Sequence, residues 1–125
     1  VLKVLGLPRI DRENASANFE KINDSISKVI KNKNSIMIFP EGKRSNQRDL
    51  LPFKKGAAYI SKDFQLPIIP VVTHNAHNLM RKGEVWLRSG EITIEILNPI
   101  NYSEELTVEE MTAKIYNLID DKLKI

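Results

Sequence analysis

Ser35-Ile36-Met37-Ile38-Phe39 is a short run of apolar residues without alternation, and Pro40 closes it. A strand with one wet face alternates polar and apolar residues, whereas an uninterrupted run predicts a strand buried on both faces. Proline has no N–H to give to a ladder, so the strand stops at Pro40. Ahead of it, over residues 15–31, Phe19, Ile22, Ile26, Val29 and Ile30 recur at helical spacing, with Lys, Asn, Ser and Asp filling the other face. This predicts an amphipathic helix covering a sheet, broken by Asn32-Lys33-Asn34. Beyond Pro40 a polar loop runs to Pro52, a second helix is expected over 53–63, and residues 67–72 read as a second buried strand whose ladder is interrupted or near its end at Pro70. Helix, strand, loop, helix, strand is the order of an α/β architecture, in which functional groups collect beyond the carboxyl ends of strands.

The remaining elements point to a mixed β-sheet covered by helices. Residues 84–88 and 91–97 flank Ser89-Gly90 and read as a hairpin, and Ile92, Ile94 and Ile96 alternate as the inward face of a half-buried strand. Thr107 with Glu110 forms a capping-box pattern, and Val108, Met111, Ile115, Leu118 and Ile119 give a closing helix its apolar stripe. At 125 residues without a shift in composition, the chain reads as one domain, 1–125. It does not begin with Met, and Val1-Leu2-Lys3-Val4-Leu5 already resembles the inside of an apolar element, so truncation at the N-terminus is expected.

Composition narrows the chemistry. With no cysteine, disulfide scaffolds, thiolate nucleophiles and cysteine-ligated zinc are excluded. No run approaches the roughly 18 apolar residues of a spanning helix, so membrane contact, if made by these residues, is peripheral. A net charge of +3 favours anionic partners without choosing among phosphates, nucleic acid and an acidic membrane. Nucleic-acid binding calls for denser basic patches interleaved with aromatics, and at 6% aromatic content no nucleic-acid partner is expected.

Phe39-Pro40-Glu41-Gly42-Lys43-Arg44-Ser45 places a carboxylate, a glycine, two cations and a hydroxyl directly after the first strand. Arg44 can grip a phosphate with two parallel bonds, Lys43 adds a point charge, Gly42 admits close backbone approach, and Glu41 can hold the arginine or accept from a substrate hydroxyl. A solvated charged turn has the same composition, and the residues alone do not separate the two readings. A nucleotide-binding P-loop is excluded, because Met37 stands where its first glycine belongs and Arg44 where its Ser or Thr belongs.

These seven residues resemble the Phe-Pro-Glu-Gly-Thr-Arg-Ser block of the glycerolipid acyltransferases, the family of the 1-acyl-sn-glycerol-3-phosphate acyltransferases. The neighbours match in order. Gly6 to Arg12, ending Ile10-Asp11-Arg12, resembles the Gly-x-x-Phe-Ile-Asp-Arg block; Leu51-Pro52-Phe53-Lys54-x-Gly56-Ala57 resembles the Pro-Phe-Lys-x-Gly-Ala stretch; and Leu66-Pro67-Ile68-Ile69-Pro70-Val71-Val72 resembles the Pro-Ile-Val-Pro-Val block. Arg9 stands for the usual Phe and Lys43 for the usual Thr, both adding positive charge.

The resemblance implies transfer of a fatty acyl group from acyl-CoA or acyl carrier protein to a lysophospholipid, with 1-acyl-sn-glycerol-3-phosphate giving phosphatidic acid in phospholipid biosynthesis. It implies that Arg12 and Arg44 hold the acceptor phosphate, that Lys54 assists, that Glu41 and Gly42 shape the turn and orient the acceptor, and that Ser45 completes the substrate-binding set. Pro70 and Val71 would line the site or the acyl path. No cofactor and no metal are implied, the thioester being a co-substrate, and the enzyme is expected at the cytoplasmic face of a membrane. The family's base is a His-x-x-x-x-Asp block upstream of the first matching block, and this sequence holds none: His74 and His77 are followed five positions on by Leu79 and Lys82. Both read as structural histidines in a loop, with base or metal ligand as the lesser reading. Trp86 and Met80 read as core or rim residues, acyl-chain contact second. The expectation is a chain that recognises the acceptor without supplying the base, the alternative being a non-catalytic module for anionic phospholipids.

Overall fold

The computed structural model describes residues 19–44, 49–79, 83–86 and 88–124. The chain divides into two compact units, Val1–Ile38 and Phe39–Ile125.

In the first unit the predicted helix is α1, Phe19–Lys31; positions 15–18 of the expected span lie outside the described residues. Ile26 is buried and Ile22, Val29 and Ile30 half-buried, as the spacing requires. The helix stops at the predicted break. Lys33 turns left-handed at φ 56°, and the N–H groups of Lys33 and Asn34 return to the carbonyls of Ile30 and Val29 at 2.9 and 3.1 Å. That pair of bonds is a Schellman cap, formed here without the usual glycine. Residues 35–39 form no strand, contrary to expectation, and Met37 and Phe39 are 81% and 79% exposed. Apolar content alone does not make a strand. Its N–H and C=O groups need a neighbouring ladder, and among the described residues none pairs with this segment.

The second unit is built around α2 (Gly56–Phe64), β1 (Val71–His74), α3 (Ala76–Leu79), β2 (Thr93–Ile96) and α4 (Val108–Leu123). Helix α2 starts three residues later than predicted. The Lys54 N–H is already given to the Pro40 carbonyl at 2.7 Å, and the Phe53 ring meets Tyr116 of α4 edge-on at 5.1 Å. At its far end Gln65 turns left-handed at φ 52°, while the buried Ser61 hydroxyl donates to the Leu66 carbonyl at 2.6 Å.

The described sheet is the antiparallel pair β1–β2, with Val71 opposite Ile96 and His74 opposite Thr93. A separate bridge joins Ile68 and Ile100. Pro70 interrupts the ladder between them, as predicted, and two residues, 69 and 70, face three, 97–99, as in a β-bulge. Residues 67–72 are therefore not one strand buried on both faces: Val72 is buried but Val71 is exposed. Residues 84–88 show no strand where described, and the expected hairpin is replaced by the β1–β2 pairing. The isoleucine face is also reversed. Ile92, Ile94 and Ile96 are exposed, because α4 packs on the opposite face of the sheet, the face that carries Val72.

Helix α4 starts as its sequence dictates. The Thr107 hydroxyl accepts from the Glu110 N–H and the Glu110 carboxylate accepts from the Thr107 N–H, at 3.2 and 2.8 Å, a complete capping box. Val108, Met111, Ile115 and Ile119 form its buried stripe and join Ala58 and Val72 in one core, while Leu118 lies at the exposed margin. Each fully buried side chain of this size contributes about 1.5–3 kcal/mol. This packing fixes α2, and with it Phe53 and Lys54, against α4.

Candidate functional site

The candidate segment opens with a tight turn. The Gly42 N–H donates to the Phe39 carbonyl at 3.0 Å, with Pro40 and Glu41 between them, and Pro40 supplies the fixed φ that such a turn favours at its second position. Gly42 has φ 70°, a left-handed geometry that disfavours any side chain there. Lys54 lies over this turn. Its backbone is tied to Pro40, and its Cγ is 3.5 Å from where a Cβ on Gly42 would sit. Lys54, 12 positions beyond Gly42 in sequence, is thus brought to the turn of Glu41 and Gly42, with Lys43 and Arg44 following directly.

Glu41 does not hold Arg44, one of the two roles its residue type allows. Its Oε2 accepts the Leu51 N–H at 2.9 Å, which closes the loop 42–50 from within. A carboxylate on a half-buried backbone N–H is a charge-assisted bond, stronger than a neutral one. No salt bridge joins Glu41 to Arg44. Lys43, Arg44 and Lys54 are exposed, and among the described residues no carboxylate neutralises any of them. Arg12 and Ser45, the other two predicted binding residues, lie outside the described residues. Sequence reasoning missed Leu51 as the partner of Glu41, since a backbone N–H ten positions away leaves no trace in residue type.

The histidines are placed apart from any shared helix. His74 ends β1, Asn75 turns left-handed at φ 65°, and His77 lies in the single turn α3. His74 Nε2 is 3.4 Å from Glu95 Oε2, and Lys122 Nζ of α4 donates to Glu95 Oε1 at 2.6 Å. The lysine's bond, with a smaller contribution from His74, holds the Glu95 carboxyl below its ordinary range. This cluster ties the sheet to α4, in line with the structural reading of His74. A recess of about 940 Å³ between α4 and residues 95–100 is lined by Leu97, Ile100, Lys114 and Leu118 among others and contains none of the predicted binding residues.

The family model for Acyltransferase matches residues 1–74. The chain belongs to the acyltransferase family. Among relatives of this chain, the 1-acyl-sn-glycerol-3-phosphate acyltransferase of Cocos nucifera is 39% identical over 117 residues, covering 92% of this chain and 38% of that protein. The enzyme of that name from Saccharomyces cerevisiae is 34% identical over 120 residues, 92% of this chain and 39% of that one. The crystal structure of the 1-acyl-sn-glycerophosphate (LPA) acyltransferase PlsC from Thermotoga maritima matches with a TM-score of 0.71 at 26% identity, over 82% of this chain and 42% of that one. The α/β class expected from sequence and the acyltransferase resemblance both stand on these matches. The chain spans about two fifths of the length of the curated relatives it matches.

Proposed function

We propose that this chain binds the phosphate of 1-acyl-sn-glycerol-3-phosphate and presents its free hydroxyl for acylation to phosphatidic acid, the activity named for its relatives. The observation that carries the reading is the cluster of Lys43, Arg44 and Lys54, unneutralised by any described carboxylate, on a turn whose shape is fixed by Gly42 and the Glu41–Leu51 bond. A phosphate beside guanidinium and ammonium groups is held by charge-assisted bonds, and holding it restricts where the hydroxyl can go. Arg44 and Lys54 take the phosphate, and Glu41 and Gly42 keep the turn in shape. The donor is a thioester, acyl-CoA or acyl carrier protein: the acceptor oxygen forms the new ester to its carbonyl carbon, the carbon–sulfur bond breaks, and the hydroxyl proton must go to a base. No His-x-x-x-x-Asp pair for that proton occurs in these 125 residues, and His74 is engaged with Glu95. Acceptor binding is the share of the reaction assigned to this chain, at a membrane surface on the cytoplasmic side.

Titration calorimetry with soluble short-chain lysophosphatidate tests the assignment. Removing one charged partner of the phosphate costs about 1.5–3 kcal/mol, so Arg44→Ala is expected to weaken binding by about tenfold to about a hundredfold. Unchanged affinity would defeat the reading. The engagement of His74 with Glu95 also fits a second reading, a phospholipid-binding module without catalysis. Thiol release from acyl-CoA by the isolated chain, abolished by His74→Ala or His77→Ala, would overturn both the missing-base assignment and that module.

A further inference from the structure

Lys54 stands between two residues that both engage α4. Phe53 meets the Tyr116 ring edge-on, with centroids 5.1 Å apart and the planes at 75°, and Lys55 donates to the Glu109 carboxylate at 2.5 Å. Lys54 itself goes to the turn. Its N–H is given to the Pro40 carbonyl, and its Cγ and Cε lie 3.5 and 3.9 Å from where a Cβ on Gly42 would sit. The two contacts with α4 are not equal. Lys55 and Glu109 are each more than half exposed, and an ion pair in water adds little. Phe53 and Tyr116 are half-buried, with Phe53 packed against the core. An aromatic pair shielded from water has a preferred geometry as well as a contact area, so the rings carry the orientation. Tyr116 lies well beyond residues 1–74, the span that the family model matches.

We propose that Tyr116 is a positioning residue for the acceptor phosphate, holding Phe53 so that Lys54 stays over the Gly42 turn. The role rests on Lys54 taking that phosphate, as assigned above. A charged donor held in place gives more to binding than one that must be ordered by the ligand. Tyr116→Leu keeps apolar bulk on α4 and removes the ring, whereas Tyr116→Phe keeps the ring. In calorimetry with soluble short-chain lysophosphatidate, Tyr116→Leu is expected to bind about fivefold more weakly and Tyr116→Phe like the parent. In a Lys54→Ala background the leucine substitution is expected to cost no further affinity, while it lowers the urea midpoint equally in both backgrounds. Ile119→Val, a core variant on the same helix, is expected to lower the urea midpoint and leave the affinity unchanged.

A further loss of similar size when Tyr116→Leu is added to Lys54→Ala overturns the inference, because the ring would then act on the fold and not through Lys54. Ile119→Val binding as weakly as Tyr116→Leu overturns it for the same reason, and so does a Tyr116→Leu chain of unchanged affinity. Should Tyr116→Leu fail to fold, Phe53→Leu removes the other ring of the pair and is read by the same cycle. Arg44→Ala keeps two failures apart. Unchanged lysophosphatidate affinity in that variant overturns the acceptor reading and the role of Tyr116 with it, whereas a weakened Arg44→Ala beside an unaffected Tyr116→Leu overturns the role of Tyr116 alone.

Discussion

Glu41 is where residue type and residue role part company. A carboxylate beside two cations invites a partnership with Arg44, yet its Oε2 is given to the Leu51 N–H. What that bond requires is an acceptor oxygen, and charge only strengthens it. Glu41→Gln retains such an oxygen, and its affinity for soluble lysophosphatidate is expected within about twofold of the parent. Glu41→Ala leaves the Leu51 N–H without its partner at a cost of about 1 kcal/mol, and the loosened loop is expected to bind about fivefold more weakly. Calorimetry on the pair decides the point: a glutamine variant as impaired as the alanine one would mean that the carboxylate charge acts on the acceptor directly. The types at positions 41, 42, 43 and 44 were legible in the sequence as a phosphate-binding inventory, and Lys54 only through the family resemblance. Their assembly was not, because the Lys54–Pro40 and Glu41–Leu51 bonds join backbone to partners that no periodicity marks.

Among the elements, helices were read more truly than strands, for a physical reason. The signals that start and stop α1 and α4 are local: a capping box at Thr107 and Glu110, an αL exit at Lys33, and apolar residues three and four apart. A strand is defined by its neighbour. Residues 35–39 and 84–88 have strand-like composition but no ladder among the described residues, and the Ile92–Ile94–Ile96 alternation could not say which face α4 would cover. The covered face instead carries Glu95, bridged to Lys122 and His74. Because the Glu95 carboxyl is held below its ordinary range, the unfolded chain takes up that proton at higher pH than the folded one. The stabilisation is whole above the ordinary glutamate value and is lost as pH falls through the lowered one. Urea midpoints are therefore expected to decline as pH falls below about 5. Glu109 and Glu110 are lowered too, by Lys55 and by Thr107, so Glu95→Gln should flatten only part of the decline. An identical pH profile for the variant would show that the bridge contributes nothing.

For the molecule as a whole, 19 basic residues against 16 acidic ones is a small excess, and its use depends on where cations stand unopposed. Lys43, Arg44 and Lys54 are exposed, so their attraction for a phosphate is screened by salt, over about 10 Å at 0.1 M and about 3 Å at 1 M. Affinity for glycerol 3-phosphate, a soluble probe of the headgroup, is expected to fall steadily as sodium chloride rises, and to fall less steeply in Lys54→Ala. A salt-independent affinity would place the phosphate elsewhere. The bulge opposite Pro70 has a consequence at this scale as well. Along β2 the odd-numbered Glu95 and Leu97 turn toward α4, yet the even-numbered Ile100 also packs on the core. The extra residue among 97–99 is a phase shift: it lets a segment whose isoleucines face outward re-enter the interior on the opposite parity. In an unbulged strand the four-residue step from Ile96 to Ile100 would put both isoleucines on the outer face, and the same sequence would then have to choose between its ladder and its core.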